Sequence, residues 1–152
     1  MGHLPAGYLA ACSLERSFTR DTVIWWAMLA GAVLLDIDMF WFALVDQGTV
    51  HHHTYPTHNP ALWAVTALFG LAVSSRLLTG LGAGAVLHVA LDSIAGAVTW
   101  GFAEVSWTGP LVEVPATQSH WILSFLLHWT FAVELVICCM ALVVFWRRRR
   151  RS

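Results

Sequence analysis

Residues 22–45 read Thr22-Val-Ile-Trp-Trp-Ala-Met-Leu-Ala-Gly-Ala-Val-Leu-Leu-Asp36-Ile-Asp38-Met-Phe-Trp-Phe-Ala-Leu-Val45. The run has no basic residue and no proline, and it exceeds the roughly 20 apolar residues that a bilayer-crossing helix needs. It reads as a transmembrane helix. Two carboxylates nevertheless sit inside it, where one centred charge costs on the order of 3 kcal/mol. The same stretch therefore suggests a fold and raises the question of what compensates Asp36 and Asp38. The rest of the chain agrees with the membrane reading. Of its 152 residues 58% are hydrophobic and only 11% charged, with a mean hydropathy of +0.67, against roughly 25% charged in an average soluble domain.

Three more apolar segments follow. Asn59-Pro60 has the form of an N-cap with proline at the first helical position, and it predicts a helix running to about Leu78. Gly80 and Gly82 suggest a turn, and a third helix is expected from about Gly84 to Phe102. A fourth is expected from about His120 to Trp146. Before the first, His3 to Phe18 has 16 residues, which make a helix of roughly 24 Å, short of a hydrocarbon core of about 30 Å. The expected fold is an all-α membrane protein: four transmembrane helices plus a short N-terminal helix that nearly spans, forming one bundle. Residues 1–146 would be a single transmembrane helical domain and 147–152 a basic cytoplasmic tail.

The basic residues orient this bundle. There is no lysine, and the arginines are Arg16, Arg20, Arg76 and the run Arg147 to Arg151. Paired apolar segments lie between these clusters, so each gap leaves the membrane side it started from and returns. Positive residues collect on the cytoplasmic side, which places the clusters inside and the two long polar loops outside, in a multi-pass inner-membrane protein. The five terminal arginines, directly after a spanning segment, read as an anchor in a lipid bilayer, and no nucleic acid partner is expected. Cys12, Cys138 and Cys139 form neither a disulfide framework nor a CxxC pair. The start has no basic region or cleavage site of a signal peptide.

Counting up each helix from its expected inner end, at Asp21, Thr79 and Arg16, sets the height of the polar groups. Asp36 lies about 22 Å up, Asp92 and His3 about 20 Å, and His88 about 14 Å. Groups from three helices thus approach one level in the outer half of the bilayer. His88 and Asp92 are four residues apart and share a helix face. Asp36 and Asp38 are about 160° apart on a regular α-helix, so both serve one site only if the helix ends or unwinds there. The first outer loop adds His51, His52, His53 and His58 above that level. Imidazole and carboxylate together suit Zn²⁺ or Mn²⁺, so one or two divalent ions are expected.

Gly2-His3-Leu4, Leu35-Asp36-Ile37-Asp38, His53-x-x-x-Thr57-His58 and His88-x-x-Leu91-Asp92 follow one another in an order that resembles the family of membrane-bound metal-dependent hydrolases. These are also described as LexA-binding, inner-membrane-associated hydrolases. The resemblance covers residues 2 to about 102. It implies a metal site drawn from His3, Asp36, Asp38, His53, His58, His88 and Asp92. The chain differs from the family pattern at Met39, Thr54 and Asn59, where His, Arg and Ser often stand.

The activity expected is metal-dependent hydrolysis. A metal-activated water would attack an ester or phosphoester bond, and the height of the site suits an amphiphilic, phospholipid-like substrate. Asp38, with Asp36 beside it, is the first choice of general base. A metal transporter or sensor would use the same ligands without chemistry, and Glu134 could extend its path inward. A bis-His haem cytochrome would need His88 and His128, whose heights of about 14 and 27 Å match one haem poorly.

Overall fold

The computed structural model describes residues 2–17, 21–47, 55–95, 98–99, 106–108, 117 and 121–150. Helix α1 spans His3–Ser17 and α2 spans Thr22–Leu34. A 3₁₀ turn over Leu35–Ile37 leads directly into α3, Asp38–Leu44. After the loop come a 3₁₀ turn at Pro56–His58, α4 over Pro60–Ala72, and α5 over Arg76–Ala95. Val98–Thr99 (β1) pairs antiparallel with Ser106–Thr108 (β2). Short α6, Trp121–Leu126, and long α7, Trp129–Arg149, follow.

Among the described residues, three helical stretches are long and apolar enough to cross a membrane: Thr22–Leu44, Arg76–Ile94 and Trp129–Arg149. The second expected span is shorter than the sequence suggested. It ends at Ala72, so its 13 residues measure roughly 20 Å. The reversal falls at Val73–Ser75, where Ser74 takes a left-handed φ of 56°, and Arg76 opens the next helix. Gly80 and Gly82 do not turn the chain. They lie inside α5, Gly80 against the Ile24 carbonyl and Gly82 against the Trp63 carbonyl. Missing side chains here serve close packing, and the entropy cost of helical glycine is offset by the approach it permits.

Helix α5 is the centre of the bundle, packed between α2 and α4, with α1 also against it. Cβ atoms at Gly31 and Gly84 would overlap the Leu81 and Met28 carbonyls of the facing helix. Only glycine lets these two backbones meet. Just beyond, Leu35, Ala85 and Val89 form a buried core with Trp63 packed against it. Two further expected boundaries shift. The third helix stops at Ala95, and the fourth breaks at His128, whose ring accepts the Thr130 N–H as the N-cap of α7. Helix α7 reaches the bundle chiefly through α1 and continues through Arg149.

The basic end of the bundle is held by ion pairs. Arg76 meets Asp21 at 2.9 Å, and Arg148 meets Glu15. Asp21 also caps α2 by accepting the Val23 and Ile24 N–H groups. The candidate site lies toward the opposite end.

Candidate metal centre

The break between α2 and α3 decides how two aspartates on one helix can reach one site. In a 3₁₀ turn successive residues rotate by about 120°, so Asp36 and Asp38 stand about 120° apart rather than the 160° of an α-helix. The α-helix is interrupted at Leu35–Ile37 as the sequence required, but by a tighter 3₁₀ turn rather than by unwinding. Asp36 Oδ1 then lies 3.6 Å from His88 Nε2, and Asp38 Oδ2 lies 2.7 Å from His58 Nδ1.

Helix α5 supplies His88 and Asp92, one turn apart, with His88 Nε2 3.1 Å from Asp92 Oδ2. His88 is fully buried. Its Nδ1 lies 2.9 Å from the Ala32 carbonyl. A carbonyl can only accept, so Nδ1 carries the proton and the Nε2 lone pair faces the carboxylates. That nitrogen is 3.6 Å from Asp36 Oδ1 and has no hydrogen-bond partner among the described residues.

His58 arrives from the loop. The sequence placed it above the level of the aspartates, but it is fully buried among them. Asn59 caps α4 by accepting the Ala61 and Leu62 N–H groups, and Trp63 Nε1–H donates to the Thr57 carbonyl at 2.6 Å. These bonds fix the 3₁₀ turn that carries the imidazole. His58 Nδ1 lies 2.7 Å from Asp38 Oδ2, an atom that also accepts the Thr57 hydroxyl. A carboxylate acceptor again fixes the tautomer, so His58 turns Nε2 inward, 3.7 Å from Asp92 Oδ2. Farther up the loop Tyr55 donates to Asp46. Desolvation and that carboxylate push the Tyr55 phenol up to about 12.

Helix α1 brings His3. Its ring stacks on His88 with centroids 3.8 Å apart and planes 17° from parallel, and its Nε2 is 3.2 Å from Asp92 Oδ1. Asp92 thus touches all three imidazoles. Ligand atoms of His3, His88 and Asp92 fall within 4.8 Å of one another, as do those of Asp36, His58 and His88. Donors about 2.1 Å from a shared Zn²⁺ or Mn²⁺ stand about 3.0–3.4 Å apart at octahedral or tetrahedral angles. The separations of 3.1 to 3.7 Å are close to that range. The donor set of three imidazoles and two carboxylates suits the same ions.

Of the seven residues expected at the site, six meet here: His3, Asp36, Asp38, His58, His88 and Asp92. Asp38 belongs to neither ligand group; its Oδ2 accepts the Thr57 hydroxyl and lies 2.7 Å from His58 Nδ1. The seventh, His53, lies outside the described residues, as do His51, His52 and His120. The Ala32 carbonyl and Trp63 were not expected at the site. A backbone carbonyl has no sequence signal, whereas the six-residue step from Thr57 to Trp63, spanning the Asn59 cap, was visible. His128 caps α7, and the Glu134 side chain packs against Gly2.

No family model, curated protein or solved structure matches the chain.

Proposed function

We propose that this chain is a membrane-embedded, metal-dependent hydrolase, in keeping with the family it resembles, holding one divalent ion, Zn²⁺ or Mn²⁺. The observation that carries the reading is the convergence of donors from α1, α5 and the loop before α4 on Asp92, at ligand-like separations. One ion rather than two follows from His88. Both ligand groups use it, its Nδ1 is committed to Ala32, and its Nε2 has a single lone pair. Four crossings, with α4 completing the second and α1 reaching part of the way, put the centre toward the extracytoplasmic face if the arginine clusters are cytoplasmic.

His3, His58, His88 and Asp92 would be the ligands. Asp38 positions His58, as a carboxylate behind a metal-bound imidazole does. That leaves Asp36, half-exposed at the edge of the cluster, as the group able to accept a proton from an incoming water, a role first given to Asp38. When bound, the ion would polarise an ester or phosphoester oxygen and lower the pKa of a water toward neutrality. The haem alternative is disfavoured because His88 Nε2 faces carboxylates at 3.1 and 3.6 Å, where an axial iron would have to sit.

Elemental analysis of purified protein, followed by assays on ester and phosphoester panels, tests the reading. One equivalent of metal and metal-dependent turnover, both lost in Asp92→Ala, are expected. Bound metal with uptake into vesicles and no turnover would favour the carrier alternative. Wild-type metal content in Asp92→Ala would end the proposal.

A further inference from the structure

The members of the centre are enclosed unequally. The side chains of His58 and His88 are fully buried, and those of Asp38, Asp92 and His3 are 8, 9 and 15% exposed, but Asp36 is 48% exposed. Among the described residues the cluster reaches the surface at this carboxylate.

The surface it reaches is the flank of an apolar helix. Ile37, Phe40, Trp41 and Leu44, spaced three, one and three residues apart, share one stripe that lies beside Asp36. They are 59, 69, 58 and 76% exposed. The apolar stretch ends at Leu44, eight residues or roughly 12 Å beyond Asp36. The opening therefore lies to the side, well short of the helix end. An exposed carboxylate at that depth is costly facing hydrocarbon alone, and the cost falls when a hydrogen-bond donor, such as the P–OH of a phosphate monoester, meets it there. A molecule already in the bilayer can bring such a group by lateral diffusion while its chain stays among lipid tails.

We propose that the site opens sideways to the bilayer at Asp36 and takes the head of a long-chain phosphate ester, whose chain lies along Ile37, Phe40, Trp41 and Leu44. This deepens the hydrolase reading. The choice of phosphate rests on the metal centre, while the direction of opening rests only on the exposure and depth of Asp36.

Spin labels at Ile37→Cys and Phe40→Cys, in full-length protein with Cys12, Cys138 and Cys139 replaced by alanine, test both parts in lipid nanodiscs. Retained metal content in the cysteine-free background verifies its fold. Oxygen should relax both labels several-fold more than a water-soluble nickel chelate. In Zn²⁺-loaded protein, dodecyl phosphate should slow the label at 40 where inorganic phosphate does not, and Asp92→Ala should abolish the effect. Stronger relaxation by the nickel chelate would overturn the lateral opening. Equal label mobility with and without dodecyl phosphate would overturn the ligand assignment. Mn²⁺ separates the two readings: if it fails to broaden the label at 40 while oxygen still dominates, the metal reading falls and the sideways opening stands.

Discussion

The two ends of the bundle handle buried and half-buried carboxylates differently. At the basic end Asp21 has Arg76 and Glu15 has Arg148. Each acid meets a side chain that is cationic at any physiological pH, and the ion pair completes itself. At the other end Asp36, Asp38 and Asp92 meet His3, His58 and His88, and no arginine occurs between positions 20 and 76 or 76 and 147. Imidazoles balance carboxylates only when protonated, so three acids in an apolar setting lack permanent counter-charge. A bound divalent cation would supply it. The contrast shows that hydrogen-bond partners alone do not settle a buried acid; what matters is whether the surroundings already contain the positive charge.

The largest effect expected from this contrast is at Asp92. Asp92→Ala removes the carboxylate shared by three imidazoles and should weaken Zn²⁺ binding by at least 1,000-fold, about 4 kcal/mol, in a chelator-competition titration. Retained affinity would make the two ends alike. Next comes the support beneath the centre. Gly31→Leu forces a side chain into the Leu81 backbone and should destabilise the protein by about 3 kcal/mol or more, read as a lower unfolding temperature in detergent. Because it also separates Asp36 from His88, metal content should fall with it. Asp38→Asn sharpens the distinction between ligand and positioning group. It should cost about 10- to 100-fold in metal affinity while leaving one equivalent bound at saturation, and complete loss of the site would make Asp38 a ligand after all. The smallest effect belongs to the basic end. Arg148→Ala breaks a half-exposed pair and should change stability by no more than about 1 kcal/mol, with metal affinity unchanged in the same titration.

Much of this was readable from the chain. Apolar length identified the segments later found as α2 with α3, α5 and α7, and Asn59-Pro60 marked the start of α4 because cap chemistry is local. The four-residue step from His88 to Asp92 placed both on one face for the same reason. Errors gathered where a residue has two uses. Gly80 and Gly82 suit a turn as well as a close helix crossing, and only the facing backbones of α2 and α4 distinguish the two. His128 suits a helix interior as well as an N-cap, and the chosen alternative depends on Thr130, whose N–H it accepts.

The sequence by itself determined which stretches are apolar enough to leave water and the rise between ionisable groups on one helix, because hydropathy and helical rise are properties of a segment alone. Tertiary structure decided azimuth and partnership. His58 descends among the aspartates and bonds to Asp38 Oδ2, His3 stacks on His88, and Asp36 is left half-exposed. Those choices follow from how closely α2, α4 and α5 approach at their glycines and from the path of the returning loop. No count along a single helix contains either.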